Sequence, residues 1–211
     1  MIRINLVIED LLSEEVLRAI LKQSIKNYEV IGRFPDIRRS GSSGGFGYIK
    51  SRIKRFNNAA KEMPFLVLTD LDKEECAPKL IREWLPVKFH PNFIFRVAKR
   101  EVESWVMADR NAFADFLRIP ISKIPVNIDD ELDDPKAFLV NMARKSKDRS
   151  IRNALVSKHS AGKVGPDYNG KLSSFVREKW SLERAVQHSD SLKRAANAIN
   201  NFQPITSFRS F

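Results

Sequence analysis

Phe65-Leu66-Val67-Leu68-Thr69-Asp70-Leu71-Asp72 runs from a mostly apolar segment into two aspartates spaced i, i+2. A buried strand over Phe65 to Thr69 places Asp70 and Asp72 at its carboxyl end, where open α/β sheets bind their ligands. Residues at i and i+2 lie on one side of a strand, so the two carboxylates would repel unless a cation sat between them. Mg2+, which prefers oxygen ligands, is the ordinary solution, and Mn2+ is its usual substitute. A strand that ends in a polar turn would carry the same residues, because Asp is common in turns.

The flanking sequence repeats the pattern of strand then helix. Ile2 to Ile8 is rich in β-branched residues and predicts a first strand. Ser13-Glu14-Glu15 then offers an N-cap and an acidic first turn, with Val16, Leu17, Ile20 and Leu21 at helical spacing. Tyr28 to Ile31 predicts a short second strand. Ser40-Gly-Ser-Ser-Gly-Gly-Phe-Gly47 is a glycine-rich loop, and a basic helix is expected from Tyr48 to about Ala60. Pro78 opens a helix through Trp84, Asn92 to Val97 predicts a fourth strand, and Glu101 to Met107 the helix after it. This alternation predicts a mainly parallel four-stranded sheet flanked by helices. Beyond Pro120 the character changes. An acidic, proline-punctuated connector (Ile124 to Pro135) leads to a basic helix over Pro135 to Val156, broken near Lys147-Asp148. A loop over His159 to Gly170 and helices over Leu172 to Trp180 and Leu182 to Phe202 complete the chain. The expected organisation is an α/β domain over 1–120 and a basic helical C-terminal region over 121–211.

Hydrophobic residues make up 43% of the 211, enough for a core. No apolar run approaches the roughly 18–20 residues of a membrane span, and the N-terminus passes straight into a strand-like segment, so a cytoplasmic protein without membrane contact is expected. Cys76 is the only cysteine, and His90, His159 and His188 are scattered, which excludes an intrachain disulfide and a cysteine-based zinc site. The net charge of +11 is unevenly placed. Residues 1–134 hold 22 basic and 21 acidic side chains, whereas 135–211 hold 15 and 5. A second basic run, Ile37 to Lys61, has seven basic residues and no acidic ones. That asymmetry is the footprint of a polyanion binder, and nucleic acid, DNA or RNA, is the expected partner. Arg38, Arg39, Lys50, Arg52, Lys54, Arg55, Lys99, Arg100, Arg144, Lys145, Lys147, Arg149 and Arg152 are the candidates to grip its backbone, with Arg96 as a further cation near the strand ends.

Three acidic groups follow predicted strands: Glu9 and Asp10, Asp70 and Asp72, and Glu101 and Glu103. Strand ends of a parallel sheet share one edge, so these carboxylates can build a metal site for phosphoryl transfer. Singly, each has a plainer use: Glu9 and Asp10 in a solvated turn, Glu101 and Glu103 at a helix N-terminus. The glycine loop lacks the Gly-x-x-x-x-Gly-Lys-Ser/Thr of a nucleotide-binding P-loop, so any ATPase must be a partner. Trp84, Trp105 and Trp180 fall on apolar helical faces and read as core.

The order Val7-Ile-Glu9, Gly44-Gly-Phe-Gly47, Leu68-Thr-Asp70-Leu-Asp72 resembles the Toprim domain of topoisomerases, primases and OLD-family nucleases. Arg100-Glu-Val-Glu-Ser-Trp-Val-Met-Ala-Asp109 resembles the Arg-Glu-x-Glu-x-Trp-x-x-Ala-Asp segment of an uncharacterised prokaryotic Toprim-like family encoded beside ATPases. The match covers roughly Met1 to Leu117, with Asp134-Pro-Lys136 and Ser191-Leu-Lys-Arg-Ala195 as looser points. The resemblance implies a Toprim-like fold and Mg2+-dependent nuclease activity in an ATPase-partnered defence system. It makes Glu9 a metal ligand or general acid/base, Asp70 and Asp72 metal ligands, and Glu101 and Glu103 further catalytic acids. Asp10-Leu11 stands where Toprim proteins often have glycine, which bears on the aim of Glu9. The rival readings are a non-catalytic nucleic-acid-binding or regulatory subunit, a small-substrate phosphatase or nucleotidyl transferase, and a binder of an acidic protein.

Overall fold

The computed structural model describes residues 1–36, 44–158 and 163–205. It is an α/β fold with a four-stranded, all-parallel sheet flanked by helices. Strands β1 (Ile2–Val7), β2 (Tyr28–Phe34), β3 (Phe65–Asp70) and β4 (Phe93–Ala98) lie in the order β2-β1-β3-β4. The two central strands, β1 and β3, pair Asn5 with Phe65 and Val7 with Val67. β3 is buried on both faces, which is why Phe65 to Leu68 reads as a continuous apolar run, and β1 is buried from Ile4 to Val7 with Asn5 as its buried polar residue.

Helix α1 (Leu11–Lys22) follows β1. Its N-cap is Asp10, not Ser13: the Asp10 carboxylate accepts from the Ser13 N–H at 2.8 Å. Both residue types cap helices well. Here the earlier one is extended at φ −147°, and the helix starts one turn sooner than expected. α1 packs on β2 and β3 through Leu12, Val16, Leu17 and Ile20. Helices α2 (Phe46–Ala59) and α3 (Ala77–Trp84) cover the opposite face, where Ile49, Ile53, Phe56, Leu80 and Trp84 meet Val7, Val67, Phe93, Phe95 and Val97. Trp84 is core, as its spacing predicts.

The chain divides into two compact units. One is Met1–Val97 with the described residues from Arg194 onward; the other is Ala98–Lys193. The division falls before the connector, not at Pro120. The second unit is helical: α4 (Val102–Ala108), α5 (Arg110–Leu117), α6 (Ile128–Glu131), α7 (Pro135–Arg144), α8 (Arg149–Leu155), α9 (Tyr168–Glu178) and α10 (Leu182–Ala185). α4 is buried along its whole length, Glu103 and Ser104 included, and packs against α6, α7 and α10. The expected break near Lys147-Asp148 is the gap between α7 and α8, where Asp148 caps α8 by accepting from Ser150 and Ile151. The last helix, α11 (Asp190–Asn200), ends in the first unit. There Tyr28 Oη donates to the Ile199 carbonyl at 2.6 Å, and Asn92 exchanges two 2.8 Å hydrogen bonds with the Ile205 backbone. No described helix is long and apolar enough to cross a membrane.

Candidate functional site

In the first unit, Glu9 leaves the carboxyl end of β1 beside the carboxyl end of β3. The β1/β3 register pairs Val7 with Val67, so two residues on it sets Glu9 opposite Thr69. Glu9 Oε1 accepts from the Thr69 hydroxyl and, at 2.9 Å, from the Asp70 backbone N–H. The carboxylate is thereby aimed by the neighbouring strand. Thr69 is buried and is a site residue that sequence reasoning passed over; its signal is a hydroxyl closing an otherwise apolar run.

Burial is the main reason the Glu9 pKa is raised. The two hydrogen bonds oppose it, and the charges of Asp72 and Asp10 add to it. A carboxyl whose folded pKa lies above its unfolded value stabilises the fold fully at low pH and loses that contribution as pH rises through the folded pKa. Glu9→Gln keeps an acceptor for both donors and removes the charge. It is expected to raise Tm at about pH 8 and to leave Tm unchanged at about pH 4, read by thermal melts across pH. A lower Tm at the alkaline end would contradict this account of the site.

Asp70 and Asp72 do not sit as a strand pair. β3 ends at Asp70, and Asp72 follows in a turn at φ 48°, a left-handed conformation that Asp tolerates better than most residues. Alternation along β3 puts Asp70 in line with Leu66 and Leu68, away from the side of Val67 and Thr69. The acids therefore straddle the sheet end. Among the described residues, no three His, Cys, Asp or Glu side chains form a group able to hold a metal ion. The donor set still fits Mg2+ or Mn2+: hard oxygens only, with the Asp72 charge close enough to perturb Glu9. Mg2+ usually takes one or two carboxylates and completes its shell with water and substrate phosphate.

The glycine segment reaches this site through Gly44. A Cβ there would lie 2.1 Å from the Glu9 carbonyl oxygen, so only glycine allows the approach. Gly45, at φ 99°, then starts α2 without a side-chain cap. Arg38 and Arg39 lie outside the described residues. Lys50, Arg52, Lys54 and Arg55 are all exposed on α2, with Lys50 over the Phe46 and Trp84 rings and Arg52 over Tyr48.

Glu101 and Glu103 belong to the second unit. Glu101 precedes α4 and accepts from the Lys136 backbone N–H at 2.8 Å; Lys136 Nζ lies 3.3 Å from Glu101 and 3.4 Å from Glu103. Glu103 is 1% exposed and accepts from Tyr168 Oη at 3.1 Å. The two acids thus come together around Lys136. Elsewhere in the Arg100–Asp109 segment, Trp105 Nε1 donates to Ser191 Oγ at 2.7 Å, and Asp109 takes Arg184. Lys99 and Arg100 pair with Asp130 and Asp133 of the acidic connector. Those acids are exposed, so the pairs are weak and can open to a phosphate. Arg144, Lys145, Lys147 and Arg149 are exposed, while Arg152 donates to the Ser146 carbonyl.

No family model, curated protein or solved structure matches the chain.

Proposed function

We propose that this chain is a metal-dependent nuclease of the Toprim kind, hydrolysing phosphodiesters of DNA or RNA in the cytoplasm as the effector of an ATPase-partnered prokaryotic defence system. The observation that carries the reading is the Glu9 carboxylate pinned by Thr69 and the Asp70 N–H at the ends of two central parallel strands. One or two of Glu9, Asp70 and Asp72 would ligate Mg2+ or Mn2+, with water and substrate phosphate completing the shell, since no three described acids come together. A bound metal of this class polarises a phosphate oxygen and lowers the pKa of an attacking water. With Oε1 committed to two donors, Oε2 is the Glu9 oxygen left for the reaction. Where Glu9 acts as the general acid/base and not as a ligand, its raised pKa moves proton exchange at that atom upward towards neutral pH, where such a group is most effective. The exposed cations of α2, α7 and α8 would draw in and hold the nucleic-acid backbone.

The reading is tested by incubating the protein with plasmid DNA and with total tRNA, with Mg2+, with Mn2+ and with EDTA. Metal-dependent cleavage supports it. The grip has its own test. Lys54→Ala with Arg55→Ala is expected to weaken DNA binding across sequences and to lower the slope of log K against log salt by about 2, one unit per lost contact. An unchanged slope would remove α2 from the interface.

A second reading, a non-catalytic nucleic-acid-binding subunit, is favoured by one observation. Glu101 and Glu103 are both engaged with Lys136, and Glu103 with Tyr168, as a structural cluster would be. Such a protein would bind DNA or RNA, with or without its acids, and never cut.

A further inference from the structure

The half-buried arginines Arg33 and Arg110 have acceptors: Arg33 pairs with Glu14 and Asp36, and Arg110 donates to the Ile124 carbonyl. Arg96 differs. Its Nε is sealed from solvent with no hydrogen-bond partner, and no described carboxylate pairs with it. The other residues of β4 are Phe93, Ile94, Phe95, Val97 and Ala98, all buried. Arg96 as a whole is half-buried, and its Nε is the atom shut off from both water and an acceptor. Guanidinium stays charged in proteins, and leaving that donor unsatisfied is costly, so an apolar side chain would suit the position better. Burial alone lowers the Arg96 pKa, with no acid to offset it, whereas the acids beside Arg33 and Arg184 raise theirs.

The position of Arg96 in the sheet says what can offset that cost. Phe93, Phe95 and Val97 enter the core with Val67, so Ile94, Arg96 and Ala98 project from the opposite face. By the same alternation Asp70 projects from that opposite face of β3, the strand beside β4. Arg96 therefore lies near the carboxyl ends of the strands, on the sheet face of Asp70. A guanidinium matches two oxygens of an oxyanion through parallel N–H donors, and the phosphate of a polyanion presents two such oxygens.

We propose that Arg96 is an anion-binding residue whose guanidinium takes the non-bridging oxygens of a phosphate on the sheet face that carries Asp70. Naming that phosphate as part of a nucleic-acid backbone rests on the nuclease reading; the anion site itself does not.

The test compares the wild-type chain with Arg96→Met and Arg96→Lys, in EDTA so that nothing is cut. Tm is measured with and without inorganic phosphate, and binding of a short fluorescein-labelled single-stranded DNA by anisotropy. Arg96→Met is expected to raise Tm without anion, to abolish the gain in Tm that inorganic phosphate gives the wild type, and to weaken DNA binding about tenfold or more. Arg96→Lys is expected to fall between. A structural arginine behaves in the opposite way: Arg96→Met then lowers Tm and leaves both ligand responses unchanged, which overturns the proposal. A wild type whose Tm ignores phosphate and whose DNA affinity ignores Arg96 overturns it too. Dependence on Arg96 for inorganic phosphate but not for DNA keeps the anion site and rejects the phosphodiester. Dependence for both, in a protein that never cuts once Mg2+ is restored, keeps the site and rejects the nuclease.

Discussion

Asp70→Asn with Asp72→Asn is expected to lower metal-dependent cleavage by roughly 10²-fold or more, since losing even an outer-shell partner of a metal ligand costs about 10–100-fold. It should also abolish the heat of Mg2+ binding in a calorimetric titration. The fold should survive. The Asp70 group that holds Glu9 is its backbone N–H, which Asn retains. Asp72 is exposed and left-handed at φ 48°, a conformation that Asn adopts as readily. Loss of activity with an unchanged melt would therefore be chemical and not structural. Equal cleavage by variant and wild type would end the nuclease reading. If the wild type binds nucleic acid but no metal, and the variant is indistinguishable from it, the binding subunit replaces the enzyme.

Asp109→Ala is expected to cost about 3 kcal/mol of stability, the low end of the roughly 3–5 kcal/mol for breaking a buried ion pair. Asp109 is fully buried and accepts from Arg184 Nε at 2.8 Å, Arg184 Nη2 at 2.7 Å and the Ser181 N–H at 2.8 Å. It also caps α5 through the Ala112 N–H at 3.5 Å. The low end applies because the Arg184 side chain is 50% exposed and can turn to water once its partner is gone. Urea unfolding followed by tryptophan fluorescence reads this, since Trp105 and Trp180 lie in the same unit and Trp180 Nε1 donates to the Trp105 carbonyl. A loss below about 1 kcal/mol would place this contact with ordinary surface pairs.

Asp109 also shows where sequence reasoning reaches its limit. The segment from Arg100 to Asp109 reads as a signature, and a signature suggests chemistry. In the folded chain Trp105 and Asp109 are engaged within the second unit, and Glu103 meets Tyr168 and Lys136 through Oε1. Nothing in the spacing of these residues distinguishes an acid that meets a substrate from one that meets Lys136 or Arg184. Those partners lie 33 to 75 positions away in the chain. Thr69 escaped notice for the same reason, being 60 positions from the Glu9 that it orients.

Local chemistry was enough for the rest. Four apolar, β-branched runs, each followed by helical spacing, specify strands and helices wherever they fall, and alternation between them specifies a parallel sheet. The +10 carried by residues 135–211 is a property of composition and needs no fold. Tertiary structure alone decided three things: that the unit boundary comes before the connector with α11 ending in the first unit, that Asp70 and Asp72 part company at the end of β3, and that Arg96 is left without an acid. Each depends on which distant residues share a face or a register. A strand or helix can be specified by its own few residues, but a partner is specified only when the whole chain has packed.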